Sequence, residues 1–473
     1  MTIGRLGKTL ATCVALAAAF LVARASAESK ARIVRLSAVE GRVQLDRAAG
    51  DGFDKAFINL PVIEGSRLKT GKDGRAEVEF EDGSTLRLAP GSEVDFIRLA
   101  LGDNGQKLST VQLVSGTVYA NLHPKSAGGN AAEKEKKSAQ FLLNFSHESL
   151  SVAEAVHFRV RLDADSTATL AVFKGKLSAT GPSGSFDVAE KHSATIDFAG
   201  NNLANDEFAG NDPARKDTFA IAKNYQADPS DAWDHQQTDY HDRYASTSNS
   251  AGLSSPYGYG MSDLNYYGSF TTLNGYGSVW QPYFVGANWS PFQDGGWAFY
   301  PGAGYMWVSG YPWGWMPFNY GNWSFASGFG WFWQPGYWNS SYGIPQVVNA
   351  PVTAKLPTAP VSGRQTVMVG RGLAADPDPG ASRRITINPG SAGFGVPRGS
   401  ISHLDHVAKT VEQTSRPVVV ATAPPVRTTP TTPTTTPMTT TMPGFDPSPM
   451  GPTSPAQTGA AHPSAAPPPS RPH

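Results

Sequence analysis

The chain has 473 residues, enough for two or three domains, and its 39 Lys and Arg residues balance its 39 Asp and Glu residues. This neutral balance excludes a general electrostatic attraction to nucleic acids or to anionic membranes. The single cysteine, Cys13, lies so close to the N-terminus that we expect neither disulfide bonds nor cysteine-ligated metal in the fold.

The first 27 residues have the pattern of an export signal. A positive region with Arg5 and Lys8 precedes a short apolar run, and a small-residue cleavage pattern ends at Ala27. We expect cleavage before Glu28. A retained transmembrane anchor is the alternative, but the apolar run is shorter than the ~20 residues of a span. The mature chain, without cysteine or membrane span, fits the periplasm or the surface of a bacterium.

Residues 31–200 alternate apolar and polar side chains in the way of β-strands. The clearest element is a hairpin at residues 76–88, with Asp82-Gly83 at its turn. Val78 and Phe80 point to one face of this hairpin. The other face carries carboxylates that we interpret as exposed and solubilising: Glu77, Glu79 and Glu81. Many short strands with Gly/Asp turns predict an all-β sandwich or stacked sheets, and the polar stretch 124–140 predicts a loop insertion.

Three further regions follow. Residues 201–255 are a polar linker, in which 213–226 has the pattern of a short helix. Residues 256–345 are rich in Trp, Tyr and Gly and predict a small domain of short strands and irregular structure. Residues 346–473 are dominated by Pro, Thr, Ala and Ser. Such a composition cannot bury enough apolar area to offset chain entropy, so we expect a disordered tail.

The motifs of the first half are specific. Gly65-Ser66-Arg67-Leu68-Lys69-Thr70-Gly71, Gly74-Arg75-Ala76-Glu77-Val78, Phe80-Glu81-Asp82-Gly83-Ser84 and Leu86-Arg87-Leu88-Ala89-Pro90 resemble the FecR domain over about 170 residues. The resemblance implies an all-β periplasmic module, known best from transmembrane regulators that carry a signal from an outer-membrane receptor to a sigma factor. Because the only long apolar run reads as a cleaved signal, we expect no cytoplasmic anti-sigma segment and no retained membrane helix, which puts direct sigma-factor control in doubt.

The aromatic tract contains ten of the eleven tryptophans. From Tyr257 to Tyr342 it has two acidic residues, Asp263 and Asp294, and no Lys or Arg. It resembles the uncharacterised Trp/Tyr/Gly-rich region that accompanies FecR domains in some bacterial proteins, a resemblance that implies no activity. Either the rings pack on each other, or some of them stack on a neutral ligand such as a sugar. The candidate stacking residues occur in Trp-x-Trp pairs, which share one side of a strand: Trp313, Trp315, Trp331 and Trp333.

Enzyme motifs are missing from the sequence. We find no nucleophile elbow, no Walker or dinucleotide-binding glycine motif, no His-Glu-x-x-His and no available cysteine nucleophile, so we predict no catalytic residue and no cofactor. The densest group of possible metal ligands is Asp234, His235, Asp239, His241 and Asp242. We interpret this group as solvated linker residues and predict no metal site.

Three functions remain open. The first is a non-enzymatic FecR-domain envelope protein that acts as a binding, scaffolding or signal-relay module, with an envelope protein as partner. The second is binding of peptidoglycan or another cell-wall glycan through the four paired tryptophans. The third, which the sequence favours least, is a regulator in a sigma-factor pathway. Nucleic acid is excluded as a partner because the aromatic tract lacks cations.

Overall fold

The computed structural model of the protein describes residues 32–103, 105–124, 140–163, 167–198, 217–245, 259–338, 343–370 and 384–421. These residues all fall within one compact unit, Met1–Arg427. The predicted signal segment with its cleavage site at Ala27 and Glu28, most of the 124–140 insertion and most of the Pro/Thr-rich tail lie outside the described residues.

The first half of the protein consists of strands, as the alternation predicts. In chain order they are β1 (Val34–Glu40), β2 (Val43–Asp46), β3 (Phe53–Lys55), β4 (Pro61–Val62), β5 (Arg67–Thr70), β6 (Arg75–Glu79), β7 (Thr85–Leu88), β8 (Glu93–Leu101), β9 (Lys107–Leu122), β10 (Gln140–Phe145), β11 (Glu148–Val152), β12 (Val156–Leu162), β13 (Thr167–Lys174), β14 (Lys176–Gly181), β15 (Gly184–Ala189), β16 (His192–Asp197) and β17 (Thr218–Lys223). The predicted hairpin is confirmed as the pair β6–β7, in which Val78 lies opposite Leu86.

These 17 strands form two sheets that share β9. Sheet 1 has the order β3-β2-β5-β8-β9-β10-β11-β14-β15. Sheet 2 has the order β4-β1-β6-β7-β9-β12-β13-β16-β17. The strand β9 passes from sheet 1 to sheet 2 at Gly116, whose φ is 83°. A Cβ atom there would lie 2.5 Å from the Ser92 hydroxyl, so the crossing requires glycine.

One apolar core fills the space between the sheets. Sheet 2 contributes residues such as Val78, Leu86 and Phe158, and sheet 1 contributes residues such as Phe96 and Leu143. This arrangement is a β-sandwich, and the predicted all-β class is confirmed. The opposite face of sheet 2 is polar, and it positions the candidate site described below.

The segment 213–226 does not form the predicted helix where it is described. Residues 218–223 form β17, which pairs with β16 along its whole length, with Phe219 opposite Ile196. Phe219 also stacks on Phe186 of β15 with ring centroids 4.0 Å apart. The open edge of sheet 2 offers a full ladder of backbone hydrogen bonds, and this tertiary gain outweighs the weak helical pattern of the segment.

The second half contains all four described helices and ten short strands. In chain order they are α1 (Asp231–Tyr244), α2 (Met261–Tyr267), β18 (Gly268–Leu273), β19 (Gly277–Pro282), β20 (Gly295–Tyr300), β21 (Gly304–Ser309), α3 (Trp315–Asn319), β22 (Tyr320–Ala326), β23 (Gly330–Trp338), β24 (Gln346–Val348), β25 (Val367–Val369), β26 (Arg384–Ile387), α4 (Leu404–Thr414) and β27 (Val418–Ala421). Residues 259–370 are called the aromatic region below. They contain a five-stranded sheet, β18-β19-β23-β22-β24, and a three-stranded sheet, β21-β20-β25.

Two parts of the second half are more ordered than their composition predicts. Helix α1 lies within the stretch interpreted as a polar linker, and residues 384–421, called the C-terminal segment below, lie within the stretch interpreted as a disordered tail. The C-terminal segment buries Ile387, Val396 and Leu404 against the aromatic rings. It is ordered because this external apolar surface compensates for the few apolar residues of its own.

Candidate functional site

The polar face of sheet 2 is buried although it is highly charged. Its side chains come from five neighbouring strands, and each is at most 9% exposed: Arg35, Glu77, Glu79, Thr85, Arg87, Tyr119, Asn121, His157 and Arg159. Buried charges are tolerated only when they are paired and hydrogen-bonded. The partners are supplied by α1, by α2 and by the C-terminal segment.

Glu77 of β6 contacts helix α1 and the C-terminal segment, but not α2. Its Oε1 accepts hydrogen bonds from the Ser37 hydroxyl at 2.7 Å and from Arg398 Nη1 at 2.6 Å, and it lies 2.9 Å from His241 Nε2. Its Oε2 accepts a hydrogen bond from Arg87 Nε at 2.8 Å. This one carboxylate therefore connects strands β1 and β7, helix α1 and the C-terminal segment.

A second group of contacts fixes α1 on the sheet. Arg87 Nη1 donates to Asp234 Oδ1 at 2.6 Å and to the Thr238 hydroxyl at 2.8 Å. The other oxygen of Asp234, Oδ2, lies 2.7 Å from His157 Nε2 on β12. Since Asp234, Thr238 and His241 are three or four residues apart, they share the helix face that meets the sheet.

The first turn of α1 is anchored separately. Arg159 Nη1 donates to Asp231 Oδ1 at 2.5 Å, and the Tyr119 hydroxyl donates to the same oxygen at 2.9 Å. The Trp233 indole N–H donates to Glu40 Oε1 at 3.0 Å. Helix α1 is thus held at both ends by the sandwich.

Asp263, one of the two acidic residues of the aromatic tract, connects α2 to the polar face of sheet 2. It accepts a hydrogen bond from Arg35 Nη2, and Arg398 donates to it twice, from Nε at 2.9 Å and from Nη2 at 3.2 Å. Arg35 Nε lies 2.8 Å from Glu79 Oε2. The connected buried groups are called the junction network below: Glu77, Glu79, Asp234, Asp263, Arg35, Arg87, Arg398, His157 and His241.

The cations keep three of the junction carboxylates, those of Glu77, Asp234 and Asp263, ionised. Burial by itself raises the pKa of Glu77, but the charges of His241, Arg398 and Arg87 outweigh burial and hold this pKa well below its usual range. Glu77 is therefore an ion-pair partner at neutral pH and not a proton donor.

Two more junction carboxylates follow the same rule. At Asp234, burial raises the pKa, while the hydrogen bond from His157 and the charge of Arg87 lower it below the usual range. At Asp263, burial is outweighed chiefly by Arg398, and the pKa is again lowered. All three carboxylates therefore stabilise the fold in their ionised form.

The interpretation of Glu77, Glu79 and Glu81 as exposed side chains is wrong. All three are buried, and Glu81 receives two hydrogen bonds from Arg32, at 2.6 and 2.8 Å. Their alternation with Val78 and Phe80 is as predicted. The face they occupy is covered by distant parts of the chain, which a local pattern does not reveal.

The candidate stacking residues Trp313, Trp315, Trp331 and Trp333 are also buried, each at most 3% exposed. Trp331 and Trp333 lie on one strand, β23, as the Trp-x-Trp pattern predicts. Trp313 lies in a turn and Trp315 begins α3, so this pair does not share a strand face. The structure places all four rings inside the protein and not at a surface where a sugar could stack.

The rings pack on each other around Trp313. Tyr311 stacks on it at 4.9 Å with the ring planes 11° apart, and Trp280 lies 4.9 Å away at an angle. The Trp313 indole N–H donates to the Ala392 carbonyl at 2.7 Å. The Trp333 indole N–H donates in the same way to a backbone carbonyl, that of Tyr320, at 2.7 Å. These rings form the core of the aromatic region.

The possible metal ligands of α1 are divided between two environments. Asp234 and His241 are buried in the junction network, whereas His235, Asp239 and Asp242 are exposed. Among the described residues, no three His, Cys, Asp or Glu side chains are grouped so that they could hold a metal ion. No helix in the described ranges has the length and hydropathy needed to cross a membrane.

The fold and the junction define an all-β protein in which a sandwich is joined to an aromatic region through buried ion pairs. Residues 66–178 match the family described as FecR protein, and residues 261–361 match a family of unknown function, DUF6600. The chain therefore carries a FecR match in its first half and a DUF6600 match in its aromatic region. The FecR match spans the sandwich from β5 to β14, and the DUF6600 match begins at the first residue of α2.

Two solved structures show a weaker similarity. Both are described as a "putative anti-sigma factor from Parabacteroides distasonis ATCC 8503", and they are 14% and 15% identical to this chain with a TM-score of 0.25 in each case. Each alignment covers 35% of this chain and 63% of the other. No curated protein matches the chain.

The lowered pKa values predict an acid-sensitive fold. A carboxyl group whose pKa is lower in the folded state than in the unfolded state stabilises the fold fully at pH values above its unfolded-state pKa, about 4. This stabilisation is lost as the pH falls through its folded-state pKa. We expect the melting temperature to be nearly constant from about pH 7 to 5 and to fall steeply below about pH 4. Thermal unfolding followed by circular dichroism across this pH range tests this prediction. A melting temperature that is still unchanged near pH 3 would contradict the role of Glu77, Asp234 and Asp263.

Proposed function

We propose that the protein is a non-enzymatic member of the bacterial cell envelope that acts as a binding, scaffolding or signal-relay module. The FecR match supports association with the envelope and a signalling role that involves other proteins. The observation that carries the proposal is the junction network. Its acids and bases are engaged in structural ion pairs, and they connect the FecR sandwich to the rest of the chain.

A second set of contacts joins the sandwich to the aromatic region. The Tyr300 hydroxyl donates to the Pro61 carbonyl at 2.7 Å, and Asn59 Nδ2 donates to the Tyr311 carbonyl at 2.7 Å. Tyr300 also belongs to the apolar core of the sandwich. Coupling between distant sites can be carried by packed side chains and hydrogen-bond networks, and these contacts together with the junction network support the proposal in this sense.

Glu77→Gln tests this coupling. The substitution removes one charge from a buried network and leaves Arg87 and Arg398 without their shared partner, so we expect a loss of about 3–5 kcal/mol in the free energy of unfolding. Amide hydrogen exchange should rise both in sheet 2 and in α1 and α2. Chemical denaturation and exchange mass spectrometry measure the two effects.

The matched control for this substitution is Asp187→Asn. It also removes one carboxylate from an ion pair, with Lys176, but both side chains are more than half exposed. Its effect on stability should be small because solvent screens such pairs. If Glu77→Gln changed exchange only within the sandwich, coupling through the junction would be disproved.

Export is the second part of the proposal. The segment before Glu28 has the pattern of a cleaved signal, and FecR proteins are associated with the envelope. We expect the protein recovered from the periplasm or cell surface to begin at Glu28, which N-terminal sequencing determines. A mature chain that keeps its first 27 residues would instead favour the alternative of a membrane-anchored regulator in a sigma-factor pathway.

Glycan binding is the remaining alternative. It would require Trp313, Trp315, Trp331 or Trp333 to offer a ring face, and all four are buried. We therefore expect the full-length chain not to co-sediment with purified peptidoglycan. If the chain is retained, and if Trp331→Phe abolishes retention while the melting temperature stays the same, the glycan alternative replaces this proposal.

A further inference from the structure

One guanidinium group occupies a slot between sheet 2 and helices α1 and α2. Arg398 donates to Glu77 at 2.6 Å on one side and to Asp263 at 2.9 and 3.2 Å on the other. Its Cζ atom lies 4.6 Å from the centroid of the Tyr240 ring. The slot thus combines two carboxylates with an aromatic face, which is the combination that suits the planar, multiply donating guanidinium group.

The backbone around Arg398 is shaped for this insertion. Pro397 precedes it, and Gly399 follows with a φ of 65°. A Cβ atom on Gly399 would lie 2.9 Å from the Tyr240 ring, so glycine lets the chain rest on the same ring that the guanidinium contacts. The Tyr267 hydroxyl donates to the Val396 carbonyl at 2.9 Å and holds the approach to the slot.

The charge balance of the junction depends on Arg398. Four buried carboxylates, those of Glu77, Glu79, Asp234 and Asp263, face three guanidinium groups, those of Arg35, Arg87 and Arg398, and two imidazole rings, those of His157 and His241. Arg35 and Arg87 lie on strands of the sandwich itself. Arg398 is the arginine that the C-terminal segment adds, 321 residues after Glu77 and 135 residues after Asp263. Without it Glu77 and Asp263 each lose one buried cationic partner.

We propose that Glu77, Asp263 and Tyr240 form a guanidinium-binding site, and that residues 391–401 are a latch whose Arg398 fills this site in cis. The latch fastens the C-terminal segment across the junction. When the latch is withdrawn, the site presents two carboxylates and a tyrosine ring, a surface suited to an arginine side chain from another source. This inference concerns the site itself and does not depend on the proposed relay of a signal.

Chemical rescue tests the site in the full-length chain. Arg398→Ala removes the guanidinium group and leaves a space of the same shape, so we expect amide exchange in residues 384–414 and in α1 and α2 to accelerate at least about tenfold. Ethylguanidinium at low millimolar concentration should restore most of the protection, because it replaces the missing end of the side chain. Sodium chloride at the same concentration should restore none.

The matched control is Arg416→Ala, which removes an exposed arginine from the same C-terminal segment. It should leave exchange unchanged and should not respond to ethylguanidinium. If Arg398→Ala left the protection of residues 384–414 intact, or if salt restored it as well as ethylguanidinium did, the proposed site would be disproved.

A milder variant covers the case in which Arg398→Ala does not fold. Arg398→Lys keeps the charge but loses the planar fork, so it should fold and show intermediate protection of the C-terminal segment. Protection equal to that of the natural chain would contradict a guanidinium-specific site. This outcome would instead show that any cation at this position suffices.

Discussion

The structure depends on the burial of a charged sheet face. A carboxylate or guanidinium group taken out of water loses several kcal/mol of solvation, and only a well-placed partner recovers this loss. On sheet 2 the partners come from four separate parts of the chain: the sandwich strands, α1, α2 and the C-terminal segment. No pair is complete by itself, since Glu77 needs both Arg87 and Arg398, and Asp263 needs both Arg35 and Arg398. The network therefore favours the arrangement in which each carboxylate meets its cations, because another arrangement would leave buried charges without partners.

The aromatic region solves a different packing problem with glycine. Gly268 lies diagonally across a strand pair from Trp280, and Gly295 lies in the same relation to Trp307. A Cβ atom on either glycine would lie 2.4 or 2.5 Å from the tryptophan ring. Glycine at these two positions thus has a physical cause: the tryptophan ring lies over the backbone of the neighbouring strand.

The sequence predicts those parts of the fold that local patterns control. The hairpin, the apolar face with Val78 and Leu86, and the all-β class all follow from a period of two residues. The quoted FecR motifs lie within the sandwich, on β5, β6, β7 and the turns beside them. The sequence does not predict helix α1, because this segment has few apolar residues. The helix face that meets sheet 2 is polar and consists of Asp234, Thr238 and His241.

The remaining features depend on contacts that are distant in sequence. Glu77 has the same alternation as an exposed glutamate, and the two cases differ in the elements that cover it, which are α1 and the C-terminal segment. One sequence signal was present: opposite charges lie in register on adjacent strands, with Glu77 opposite Arg87 and Arg35 opposite Glu79. Such pairs are also common on exposed sheets, so the signal becomes informative only when the covering elements are known.

The order of the chain gives the junction a consequence for folding. The sandwich strands and α1 precede Arg398 by more than a hundred residues, and the entropic cost of closing such a long loop grows only slowly with its length. Until residues 391–401 reach the slot, Glu77 and Asp263 lack one of their cations. The C-terminal segment supplies both Arg398 and buried apolar residues such as Ile387 and Leu404, so its docking adds a cation to the charge network and apolar contacts to the aromatic core.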